Sequence, residues 1–172
     1  MNFFSVKEFF YKLNTLGFIL LLLPVLVFLF LHVNSFTTLP AIDDKDQSEA
    51  LLVTLAIVVL VGLTIVHLLW QNQMKRLRTL NELAKKMDGY FVMVLARHGC
   101  YTAALLLLAA GFYLTHSVYF TGMFIVLLLT LLSQWPGAAR FCMQLQLKGS
   151  ERDLVLHNQD LTRKPIRKQK VK

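Results

Sequence analysis

Four long apolar blocks, each about as long as a bilayer is thick, dominate this chain and set the solvent it is built for. A helix rises about 1.5 Å per residue, so roughly 20 apolar residues cross about 30 Å of hydrocarbon. The first block runs from Leu16 to Val33 without a charge, and Leu13 can extend it. Pro24 stands in its middle, where a missing N–H predicts a kink. The second block, Ala50 to Trp70, is also uncharged, and the third, Phe91 to Leu114, is interrupted only by Arg97 and His98. The fourth, Val118 to Trp135, stops at Pro136-Gly137. The chain is 56% hydrophobic and 16% charged, with mean hydropathy +0.55. Soluble domains have about 25% charged residues. The expected fold is therefore all-α: an integral membrane bundle of four transmembrane helices in two antiparallel hairpins, occupying residues 1–156. Residues 157–172 are expected as a basic, flexible tail.

The basic residues orient the blocks. Of the 18 lysines and arginines, Lys45 alone falls in the linker between blocks one and two, beside Asp43, Asp44, Asp46 and Glu49. All the others lie before block one, between blocks two and three, at the start of block three, or after block four. Loops rich in Lys and Arg stay cytoplasmic, which predicts a multi-pass inner-membrane protein with both termini inside. Lys7 and Lys12 ahead of block one could mark a secretory signal with a cut near Val33-Asn34-Ser35. The block is longer than the usual apolar core of about 7–15 residues, and an uncleaved first span is expected. Trp70 and Trp135 sit at the predicted inner ends and Tyr113, Tyr119 and Phe120 near the outer turn, as interfacial aromatics should.

The net charge of +8 raises the question of nucleic acid, but no groove-reading or base-stacking motif accompanies it, and none is expected as a partner. The expected partners are the bilayer, its anionic headgroups, and a membrane protein or further copies of this chain. Cys100 and Cys142 are not spaced as a C-x-x-C pair and should be reduced thiols. Cys142 stands just past a helix end, where acylated cysteines occur.

Between blocks two and three, Leu77, Leu80, Ala84 and Met87 recur at helical spacing, predicting an amphipathic cytoplasmic segment over 71–89 that Gly89 ends. It either lies on the membrane or prolongs helix two against an extended start of helix three. The short turn at Thr115 to Ser117 makes blocks three and four a tight hairpin. Gly99, Ala103 and Ala110 form one small-residue stripe on block three and Ala104 and Gly111 the next, suited to close packing with block three at the centre of the bundle or, alternatively, to a dimer face. In the tail, residues 163–172 hold Arg163, Lys164, Arg167, Lys168, Lys170 and Lys172 with no acid among them and suit a solubilising or lipid-binding role.

Chemistry is sparse. No Asp or Glu lies in any of the four blocks, which argues against an ion-coupled carrier. His67 and His98 lie toward the inside and His32 and His116 toward the outside. Two ligands per level are too few for a metal, and no metal or cofactor is expected. No nucleophile elbow or phosphate loop appears, so no enzyme is expected and no catalytic residue is named. Arg97, with His98 and His67, is the candidate contact for an anion or lipid headgroup; the plainer reading has Arg97 snorkel to the boundary.

Tyr90 through Arg97 leading into helix three, Pro136 after helix four, and Leu145-x-Leu147-x-x-x-Glu151 together resemble small four-span bacterial inner-membrane proteins, over about residues 50–156. The resemblance carries no established activity. Some such proteins place a Glu just after the basic residue of helix three, where Gly99 and Cys100 stand here. The expected role is a non-enzymatic scaffold, accessory or regulatory subunit. The alternatives are a small oligomeric transporter or channel for an anion, and a membrane-embedded enzyme acting on lipid.

Overall fold

A computed structural model describes residues 5–37, 39–42 and 44–157. The polybasic tail residues lie outside the described residues. The elements are helices: α1 (Val6–Asn34), α2 (Lys45–Arg78), α3 (Leu83–Thr115), α4 (Val118–Ser133), α5 (Ala138–Leu145) and α6 (Gly149–Leu156). The first three are long and apolar enough to cross a membrane, and α4 with α5 makes a fourth if that pair, bent by 79°, counts as one span.

The first helix begins ten residues before its apolar block, because Ser5 caps it. The Ser5 hydroxyl accepts from the Glu8 amide at 3.1 Å. This adds Val6, Phe9, Phe10 and Leu13, all buried, to the face that packs. Pro24 lies inside α1. Without an N–H there, the Leu20 carbonyl loses its intrahelical donor, and the Thr102 hydroxyl donates to it across the α1–α3 interface at 2.7 Å.

The stretch expected as one amphipathic segment is divided. Residues 71–78 continue α2 and residues 83–89 open α3, with the break at Thr79 to Glu82. Gly89 does not end a helix. It lies inside α3 at a close approach, where a Cβ would collide with Leu77 of α2.

α3 is the axis. It packs against α1, α2 and α4, whereas α1 and α2 barely touch. The first two helices are thus not a closed hairpin. Their linker crosses the end of α3, where the Ile42 amide donates to the Leu114 carbonyl at 2.9 Å, and so delivers them to different flanks. The α3–α4 hairpin is tight as expected: His116 takes a left-handed conformation at φ 50° to close it. Phe120 is fully buried over Gly111, so it serves packing rather than an interface, while Tyr119 is exposed.

Two cores result. One, at the basic end, gathers α1, α2, α3, α5 and α6 around Phe9, Tyr90 and Phe141. The other runs along the apolar shafts around Leu105, Leu108, Phe112, Phe124 and Leu131. Among the described residues, every Lys and Arg except Lys45 belongs to the end that holds the first core.

Candidate functional site

Arg97 stands 18 residues before Thr115, the end of α3, or about 27 Å along the axis. That depth matches the far edge of a hydrocarbon layer measured from the acidic-linker end. Its guanidinium carbon lies 4.2 Å from the centroid of the Trp70 ring, a cation–π stack between α3 and α2. One terminal nitrogen donates to the Gln134 carbonyl at 3.1 Å. Beyond the end of α4 at Ser133, the Gln134 and Trp135 carbonyls take donors from arginine side chains. Arg97 supplies one and Arg140, donating to the Trp135 carbonyl at 3.3 Å, supplies another.

The guanidinium is left with spare capacity. It has five N–H donors. Its Nε is buried without a partner, and among the described residues no carboxylate pairs with it. It faces a groove of about 250 Å³ between α2 and α3, lined by Val66, Leu69, Trp70, Gln73, Met93, Ala96 and Cys100.

The other predicted site residues lie elsewhere. His98, fully buried, donates from Nδ1 to the Val94 carbonyl at 2.9 Å, and its Nε2 is buried without a partner. Its ring meets the edge of Trp135 at 5.8 Å, near Gly17 of α1. Trp135 is in turn held by Asn14, its indole N–H donating at 3.1 Å. His67 is exposed and pairs with Gln71 on its own helix at 2.8 Å. The three residues expected to share an anion site therefore diverge within one chain.

The small-residue stripe divides in the same way. Ala103 and Ala110 are exposed, and a Cβ on Gly99 would meet nothing within 4 Å. The adjacent stripe, Ala104 and Gly111, carries the internal packing. Ala103 instead helps line a second stretch of groove, about 230 Å³, with Val58, Gly62, Leu63 and Leu107. Val66 and Cys100 line both stretches, so the groove continues from Arg97 up the apolar shaft.

Three contributors escaped the sequence reading. Trp70 stood as an interfacial anchor; counting from the break between α2 and α3 puts it level with Tyr90, and the long Arg97 side chain reaches back along α3 to stack on it. Tyr90 extends the ring series: Trp70 to Tyr90 at 5.9 Å, Tyr90 to Phe141 at 4.8 Å, Phe141 to Phe9 at 5.7 Å. Its hydroxyl donates to Gln144 at 2.9 Å. Lys86, mostly buried, pairs with Glu151 at 2.8 Å and so ties α6 to the root of α3. At the opposite end His32 and His116 both approach Phe112, with ring centroids at 5.2 and 6.1 Å. Among the described residues no three His, Cys, Asp or Glu converge as a metal site would require. No family model, no curated protein and no solved structure matches this chain.

Proposed function

We propose that this chain is a non-enzymatic inner-membrane protein of four spans, with both ends in the cytoplasm, that acts as a scaffold, accessory or regulatory subunit while its basic end rests on anionic lipid. The observation that carries this reading is the union of charge and rigidity at one end. The lysines and arginines there sit on a core with fully buried aromatics, so they form a fixed platform. Each basic residue near an anionic surface contributes about 1 kcal/mol of attraction. α4 adds a fourth crossing: its 16 residues cover about 24 Å, and the turn through Trp135 and Pro136 completes the distance. The bend that follows lays α5 along the surface, where its buried Phe141, Cys142 and Leu145 face the basic-end core.

Two measurements test it. With both native cysteines replaced, a cysteine at Asp46 should react with a membrane-impermeant maleimide in intact cells, and one at Lys148 only after permeabilisation. The reverse pattern overturns the orientation. Crosslinking in native membranes should then trap a partner protein through the basic end, and recovery of the chain alone would overturn the scaffold role.

A further inference from the structure

The α2–α3 groove differs from the rest of the lipid-facing surface in having a cation at one end and an apolar trough leading away from it. From Trp70 to Val58 it runs about 18 Å along α2, close to the roughly 15 Å depth of one leaflet. The trough stays open because its floor is Gly62, Cys100 and Ala103, and a Cβ on Gly62 would touch nothing within 4 Å. Its walls, Val58, Leu69 and Leu107, are exposed on the outside of the helices, so it opens sideways toward hydrocarbon. At the basic end, Trp70 holds one face of the Arg97 guanidinium, Gln134 takes one donor, and Nε is buried with no acceptor. Gln73 adds an amide at the mouth. A planar donor fork with no carboxylate partner fits a phosphate oxygen pair.

We propose that this groove binds one anionic phospholipid, its phosphate on Arg97 and one acyl chain lying over Gly62, Cys100 and Ala103. This rests on the membrane reading above and adds a ligand and its site. A lipid fits better than a helix from a second copy, because the cation at the trough's end asks for an acid that this chain's apolar blocks do not carry.

Trp70 and Trp135 are the two tryptophans, so a Trp135→Phe background makes Trp70 the reporter. The full chain is reconstituted in phosphatidylcholine vesicles doped with acyl-brominated phosphatidylglycerol or acyl-brominated phosphatidylcholine. Phosphatidylglycerol should quench Trp70 at about fivefold lower mole fraction, the ratio one charge contact supplies. The ratio should fall about fivefold in Arg97→Gln, to the level that the remaining basic residues of that end sustain, and survive in part in Arg97→Lys. Ala103→Leu, at an exposed position, keeps the charge but fills the trough and should raise the half-quenching fraction for both lipids. Soluble glycerol phosphate in excess should change nothing. Equal quenching by both lipids from a helical, vesicle-bound chain overturns the groove proposal and leaves the membrane reading standing. Failure to partition into vesicles overturns both. Displacement by glycerol phosphate, or a rapid Cys100–Cys100 disulfide between copies, assigns the groove to another occupant and overturns the proposal.

Discussion

At the basic end, the side chains of five helices meet around Phe9, Tyr90 and Phe141 and leave them essentially no exposed surface. Along the shafts, α3 is the most buried helix, while α1, α2 and α4 keep wide apolar faces outward: Leu26, Leu60 and Val126 are each more than half exposed. The first region is organised like the interior of a soluble domain, with large side chains converging because water drives them together. The second has no such drive in hydrocarbon. It relies on close backbone approach at Gly111, ring contact between Phe28 and Phe124 at 4.2 Å, and the Thr102 hydroxyl that answers Pro24. One chain thus uses two packing strategies, and each should fail in its own way.

The largest effect is expected at Phe141. Phe141→Ala should cost about 3–5 kcal/mol, read as loss of protease resistance in the α5–α6 region. In detergent the shaft helices should keep their helical circular dichroism. If both regions melt together, the division into two cores breaks. Gly111→Leu probes the other region. A side chain there must push against the buried Phe120 ring and part α3 from α4, at about 2–3 kcal/mol, seen as a lower unfolding midpoint with the basic-end core still protected. Thr102→Val should cost about 1 kcal/mol by leaving the Leu20 carbonyl unanswered, and Pro24→Ala in the same chain should restore most of it. A double variant no better than Thr102→Val would mean that the hydroxyl does not serve the proline. The smallest effect has the opposite sign. Gly99→Ala meets open space and should raise helix stability by up to about 0.5–1 kcal/mol; a loss would place a neighbour against that face.

The apolar blocks were legible because twenty uncharged residues have few structural alternatives. The position of α3 at the centre was legible too from its small residues, but periodicity does not say which stripe faces inward: within the chain it is Ala104 and Gly111, while Ala103 and Ala110 face out. Ser5-x-x-Glu8 was a readable capping box and Val6, Phe9 and Phe10 a readable face, yet a search for uninterrupted apolar residues starts the helix only where the charges at Lys7 and Lys12 end. Gly89 misled because a glycine at a helix crossing and a glycine at a helix end look the same in sequence. Arg97 stood out as a charge in an apolar run. Its stacking partner did not, because nothing local links Trp70 to a residue 27 positions later.

The linker that carries α2 over the end of α3 has a consequence for synthesis. When the second helix leaves the ribosome, it has almost no interface with the first, and each exposes flanks meant for a helix not yet made. Assembly must wait for the third segment, which then recruits both at once and seeds the fourth. Nascent chains truncated ahead of Gly89 should therefore be treated as orphans by membrane quality control, and chains extending past His116 should be spared.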